Sequence, residues 1–203
     1  MDLSADSASV EIRRLWPAEE RLLRDHLLRL DATTRRMRFG HAVTDEFLVA
    51  YARDCFGLGD LVFGAFVGGT LRGAAELRSQ DAIWSEQTPA NAHRSAEAAF
   101  SVEAPWRRRG LGLKLFKRIE RAASNHGVET IVILCEPDNI PMINLAKKFS
   151  ANFVFDHEQA TAKLRARGPT PITFAAEALR DVLDVVGSAL HAQSEFVAGL
   201  RTR

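Results

Sequence analysis

A mixed α/β fold, with a mostly antiparallel sheet, one parallel strand pair and flanking helices, is what three features of this sequence predict. Two strand-length apolar runs, Leu61 to Val67 and Leu71 to Leu77, are separated by Gly68-Gly69, the signal of a tight antiparallel hairpin. The runs Ala96 to Val102 and Thr130 to Cys135 flank a stretch of helical periodicity, and a helical crossover leaves its two strands parallel. Phe153 to Phe155 and Thr161 to Arg165 then close the pattern as a further hairpin.

Taken in order, Val10-Glu11-Ile12-Arg13 alternates and predicts a first strand. Trp16-Pro17 opens a helix in which Leu22, Leu23, His26, Leu27 and Leu30 recur at helical spacing. Thr44 is the N-cap of a second, short helix through Phe47, Leu48 and Tyr51. Residues 79–94 read as a polar loop. From Gly110 to Asn125 the apolar set Leu111, Leu115, Phe116, Ile119, Ala122 and Ala123 forms one face, with Lys114, Lys117, Arg118 and Arg121 falling between its members. Gly127 suits a left-handed helix end. Pro141 marks the start of a helix running through Leu145 and Lys148.

Composition narrows the class of function. Lys plus Arg number 27 against 26 Asp plus Glu, so no bulk affinity for nucleic acid or an anionic membrane is implied. Any anion site must come from local clustering. The opening residues lack the basic and apolar regions of a secretion signal, and no apolar run reaches the roughly 20 residues of a membrane span; a cytoplasmic protein is expected. Cys55 and Cys135, far apart in sequence, predict reduced thiols rather than a disulfide framework or a zinc site. The six histidines show no paired ligand spacing, and no metal is expected.

The chemistry concentrates in residues 98–112, AAFSVEAPWRRRGLG. This is a strand, a short basic loop, and a helix opening on two glycines. A helix N-terminus leaves its first N–H groups unpaired and carries roughly half a positive charge. Glycines let that backbone approach phosphate oxygens, and Arg107, Arg108 and Arg109 add charge at the same point. The segment is built for a pyrophosphate. It is not a Walker P-loop, because Gly110-Leu111-Gly112-Leu113-Lys114 lacks the Gly-Lys-Ser/Thr end. Nor is it a Rossmann fingerprint, since Leu115 takes the place of the third glycine. As a nucleic-acid loop it offers only Trp106 for stacking.

The segment resembles the acetyl-CoA-binding motif of the GNAT superfamily of N-acetyltransferases, Arg/Gln-x-x-Gly-x-Gly/Ala, matched by Arg107, Gly110 and Gly112. Residues 136–148 resemble the strand-to-helix segment of the same family, and the stretches from Ile12 and through Arg35-Arg36-Met37-Arg38-Phe39 are similar to the opening of Pat-type bacterial protein-lysine acetyltransferases. The resemblance spans about residues 9–167 and implies a GNAT-type sheet with acetyl-CoA as cosubstrate. It implies a cofactor site of Ser101, Val102, Arg107, Arg108, Arg109, Gly110, Leu111, Gly112, Leu113 and, by position, Asn139. It also places the pantetheine arm between strands 96–102 and 130–135, with a backbone N–H near Val102 polarising the thioester carbonyl.

A lysine acceptor, with a solution pKa of about 10.4, would need a base. Glu97 is the expected one: alternation puts it on a strand face with Ala99 and Ser101, whose small side chains leave room for an acceptor, and family members resemble it in carrying a glutamate there. Glu76 is the substitute; Glu103 sits too near the pyrophosphate. The sequence departs from the family where many members carry a tyrosine acid, since Ala146 falls at that position and Tyr51 is the lone tyrosine. The departing thiolate must then take its proton from water, Cys135 or Ser150. The acceptor is expected to be an amine, with a protein lysine favoured by the Pat resemblance and a small amine as the other class. A non-catalytic acyl-CoA sensor is the rival reading. Arg35, Arg36 and Arg38 form a second basic cluster, read as a solvated helix face in preference to a contact for acidic substrate groups.

Gly168-Pro169-Thr170-Pro171 punctuates like a linker, and within the C-terminal extension, residues 169–203, residues 173–200 are expected to form one long amphipathic helix. Leu179, Leu183, Val186, Leu190, Val197 and Leu200 make its seam, which suits docking on the parent domain or, preferred for the regularity of the seam, a homodimer.

Overall fold

Gly68 and Gly69 adopt the left-handed φ values of 56° and 75° that a two-residue hairpin requires. They return β2 (Leu61–Val67) antiparallel onto β3 (Thr70–Ser79). β2 is buried along its whole length, so an apolar run without alternation marks a central strand. The computed structural model describes residues 9–79, 94–156, 159–166, 168, 175–176, 179 and 184–185. Within them, β1 (Val10–Leu15), β4 (Ser95–Val102), β5 (Thr130–Cys135), β6 (Asn152–Phe155) and β7 (Ala160–Arg165) complete a seven-stranded sheet of order β1-β2-β3-β4-β5-β7-β6. Every neighbouring pair is antiparallel except β4 and β5.

α4 (Leu111–Asn125) buries the predicted apolar face against β1 to β4, with Phe116 stacked between Phe100 and Phe149 at 5.2 and 4.0 Å. One residue departs from the expected pattern. Arg118 is buried, its guanidinium 4.3 Å from the Phe63 ring centroid, because a long side chain covers an aromatic face better than it covers water. On the other sheet face, α1 (Glu20–Leu28) and α3 (Asp45–Asp54) build a second core around Leu23, Leu27, Leu48 and Ala52. Thr44 caps α3 as expected, its hydroxyl accepting from the Phe47 N–H at 3.2 Å.

Several boundaries differ from the sequence reading. The helix after Trp16 begins as a 3-10 turn, Pro17–Glu19, because the Glu19 carboxylate turns back to the Trp16 N–H and to Arg13. Ser79 still belongs to β3; residues 80–93 of the expected loop lie outside the described residues. The helix α2 (Ala32–Phe39) carries the Arg35, Arg36 and Arg38 expected on a helix face, but as a separate element that the sequence pattern did not delimit. Two of its arginines leave the expected solvated face, Arg38 being buried and Arg35 bonding the Leu28 and Leu30 carbonyls, while Arg36 stays exposed and pairs with Glu136. Most of 169–203 lies outside the described residues. The five described from 175 onward are helical, and Asp184 accepts the Arg14 N–H of edge strand β1 at 2.8 Å.

Candidate active site

β4 and β5 pair over only three positions, Ser95↔Thr130, Ala96↔Ile131 and Glu97↔Val132. Both strands continue, to Val102 and Cys135, without further pairing, so the sheet splits. The register decides which backbone groups face the split. Glu103 N–H donates to Arg72 O on the β3 side, and an antiparallel ladder alternates direction, so Ser101 and Ala99 also bond toward β3. Ala98, Phe100 and Val102 therefore turn their N–H and C=O groups toward the gap, where β5 no longer stands opposite. α2 packs against β4 and β5 and so roofs the split.

The phosphate loop lies at the open end. Arg108 and Gly110 both take left-handed backbone, φ 60° and 81°, and Gly110 is the N-cap of α4. Lys114 N–H makes the first helical bond, to Gly110 O, leaving the N–H groups of Leu111, Gly112 and Leu113 for a ligand. A cavity of about 550 Å³ runs along this loop and the α5 (Ile140–Lys147) N-terminus; Ser101, Val102, Arg107, Arg108, Gly110, Leu111, Gly112, Leu113 and Asn139 all line it. The predicted cofactor residues are thus brought together, with two refinements of role. Arg107 directs its guanidinium inward, Nε to Val102 O at 3.2 Å and Nη2 to Thr34 Oγ1, bracing β4 and α2. Arg109 is not on the wall; its guanidinium lies 4.9 Å from the Trp106 ring centroid. Asn139 caps α5, its Oδ1 accepting from Met142 N–H at 3.2 Å.

Replacing Gly110 separates ligand from fold. A Cβ there meets no protein atom within 4 Å, yet φ 81° disfavours it. We expect Gly110→Ala to cost about 1 kcal/mol of stability, and about tenfold or more in acetyl-CoA affinity by calorimetry.

A second cavity, about 460 Å³, shares Met37, Arg38, Phe100, Asn139 and Met142 with the first and opens on the α2–α3 side. Glu97 lines it, half-buried, and no described residue gives its carboxylate a hydrogen bond or an ion pair. Glu76 is different. It is 1% exposed and receives Arg38 Nη2 at 2.9 Å, the Tyr51 hydroxyl, and the Cys55 thiol at 3.5 Å. Burial and the Glu76 charge push the Tyr51 phenol and the Cys55 thiol well up, so both stay protonated. Tyr51 thus reaches the wall with its hydroxyl already donated. Ala146 is core, while Cys135 lines this cavity with its thiol pushed up by burial. Ser150 lines neither cavity.

A polar network missed by the sequence reading lies behind Val102. His26, fully buried, places Nε2 2.9 Å from Ser101 Oγ and Nδ1 3.3 Å from Glu103 Oε1. Glu103 also receives Arg29 Nε and Arg72 Nη1, each at 2.9 Å. Burial opposes the Glu103 charge, but the bonds from His26, Arg29 and Arg72 outweigh it and hold the carboxyl down to about 2. Burial lowers His26 below 6.5 against the pull of Glu103, keeping the ring neutral. Both shifts stabilise the fold at high pH. The His26 contribution is full above 6.5 and fades below it; that of Glu103 is full above 4.5 and is lost as pH falls toward 2. Thermal midpoints should therefore start to drop below pH 6.5 and fall more steeply below 4.5, and Glu103→Gln should flatten the lower stretch.

Among the described residues no cluster of His, Cys, Asp and Glu could hold a metal ion, and no helix is long and apolar enough to cross a membrane. A sheet split at one parallel pair, with a glycine-opened helix at its mouth, defines an acyl-CoA-binding α/β fold. The acetyltransferase (GNAT) family matches over residues 23–151, and the chain belongs to that family, whose members use acetyl-CoA as cosubstrate. No curated protein matches the chain. Among solved structures it is similar to the GNAT domain of S. lividans PAT, at 18% identity and a TM-score of 0.63 over 79% of this chain and 93% of that one. It is also similar to yncA, a putative acetyltransferase from Salmonella typhimurium solved with acetyl-CoA (16%, TM-score 0.56, 79% and 96%). A third is the PaiA N-acetyltransferase of Thermoplasma acidophilum, in complex with coenzyme A (16%, TM-score 0.54, 77% and 99%).

Proposed function

We propose that this protein transfers an acetyl group from acetyl-CoA to a primary amine by direct attack, with Glu97 as the base. The observation that carries this reading is the Glu97 carboxylate, without a partner among the described residues, on the wall of a cavity that adjoins the phosphate-loop cavity. The pantetheine arm lies in the split between β4 and β5 and bonds the backbone groups of Phe100. The diphosphate lies on the N–H groups of Leu111 to Leu113. The Val102 N–H polarises the thioester carbonyl, the amine attacks, and Glu97 takes its proton directly or through a water. Carbon–sulfur cleavage releases CoA, whose thiolate is protonated by water or by Cys135, the one of the two side-chain candidates that reaches the wall. We favour a protein lysine as acceptor on the resemblance of the opening segment to Pat-type enzymes.

The rival is an acyl-CoA sensor that binds without turnover, favoured by Ala146 where many relatives carry a tyrosine acid. Calorimetry with acetyl-CoA, followed by amine-dependent CoA release across lysine peptides and small amines, decides between them. No binding removes both readings, and binding without turnover supports the sensor. We further propose that residues 169–203 mediate self-association, since Leu179 of the seam is 63% exposed. A mass in solution that is unchanged on their deletion removes that idea.

A further inference from the structure

The last residues of β4 face a mechanical difficulty. A strand inside a sheet is held by ladders on both sides, but β4 loses its β5 ladder after Glu97, five residues before its end. Val102, whose N–H faces the gap, would be free to pivot on that side. Its neighbours are instead held through their side chains. Ser101 and Glu103 flank Val102 and project to the α1 face, and the single imidazole of His26 bonds both of them. Arg29 and Arg72 secure Glu103, Arg107 Nε takes the Val102 carbonyl, and Glu103 N–H bonds Arg72 O. Val102 directs its own side chain to the opposite face, against the α4 core.

We propose that His26 is a positioning residue: by bonding the side chains on either side of Val102 it replaces the missing ladder and fixes the direction of the Val102 N–H in the acyl-CoA groove. The proposal rests on the acyl-CoA reading of the split. Stability alone is a poor reason for such a network, because buried polar and ionic groups are often replaced by apolar ones of similar volume without loss. The order Ser101–His26–Glu103 is also that of an acyl-transfer triad. Two facts direct it to holding rather than attack: Ser101 is only 4% exposed, and Glu103 is shared with two guanidiniums. An ionised Glu103 can only accept, which puts the proton of a neutral ring on Nδ1 and leaves Nε2 to accept the Ser101 hydroxyl.

The test compares Ser101→Ala, His26→Gln and the double variant His26→Leu/Ser101→Ala with wild type. Thermal midpoint, KM for acetyl-CoA, KM for the amine and kcat are read for each. We expect the double variant to fold and to lose about 10- to 100-fold in kcat/KM for acetyl-CoA, while KM for the amine stays within about twofold. His26→Gln, which keeps a donor and an acceptor, should recover part of that loss. Should the double variant fail to fold, Ser101→Ala decides on the same readouts with a smaller expected loss. Folded variants with wild-type acetyl-CoA parameters overturn the proposal. A rise in both KM values together, following a fall in the thermal midpoint, does so too. An acetyl group found on Ser101 by mass spectrometry replaces holding with covalent attack. If wild type itself neither binds nor turns over acetyl-CoA, the acyl-CoA reading has failed, which is a separate result.

Discussion

Glu97→Gln should lower kcat by about 100-fold or more, with acetyl-CoA affinity by calorimetry changed by no more than about twofold. The substitution keeps shape and hydrogen-bonding capacity and removes only the negative charge that accepts the proton. Because no described residue bonds the Glu97 carboxylate, no buried cation is orphaned by the change, and the thermal midpoint should move little. That contrast makes the experiment informative. Glu103→Gln perturbs a carboxylate with three cationic or donor partners and must affect stability as well. Unchanged kcat in Glu97→Gln would remove this residue as the base; Glu76, already committed to three donors, would be a poor replacement.

Glu76→Ala is expected to be the most destabilising single change at the acceptor cavity. Arg38 and Glu76 have side chains 9% and 1% exposed and pair at 2.9 Å. Burial works against the Arg38 charge, yet Glu76 and Tyr51 keep it firmly cationic. Removing the carboxylate leaves that cation uncompensated and should cost about 3–5 kcal/mol, a fall in thermal midpoint on the order of 10 °C for a chain of this size. The aromatic faces of Phe39 and Tyr51, 4.8 and 5.4 Å from the guanidinium carbon, soften the loss without cancelling it. Removing both charges together, as Arg38→Met with Glu76→Gln, should recover much of the stability. Additive losses in the pair would show that the two side chains act independently.

What the sequence made legible was what local pattern encodes. The α4 stripe, the Gly68-Gly69 hairpin and the β4–loop–α4 motif each depend on neighbours within a dozen residues, and each stands in the structure where its pattern placed it. α2 was hidden because its eight residues hold three arginines and two threonines and show no apolar stripe. Its signals are punctuation: Asp31 caps the Thr34 N–H at 2.9 Å, and Gly40 stops the helix at φ 75°. The charged interior was less legible still. His26 meets Glu103 across 77 positions and Arg38 meets Glu76 across 38, so only the assembled sheet brings them together. Nothing local distinguishes Arg38 from the more exposed Arg36 two residues away. Glu97 was legible as a strand-face residue, while its lack of a partner among the described residues emerged only from the folded chain, in which Glu76 and Glu103 are committed to other side chains.

The split in the sheet has a consequence for cooperativity. β1 to β4 form one leaf, joined by successive antiparallel neighbours, and β5, β7 and β6 form another. Three paired positions stitch the leaves together, whereas β5 and β7 share six. Hydrogen exchange should therefore report two protection levels, with the β5–β7 amides opening at lower free energy than those of β2 and β3. A molecule lying in the split and bonding the vacant edge of β4 would act as a suture between the leaves. Its arrival should be felt as slower exchange on both sides of the seam, well beyond the residues it touches.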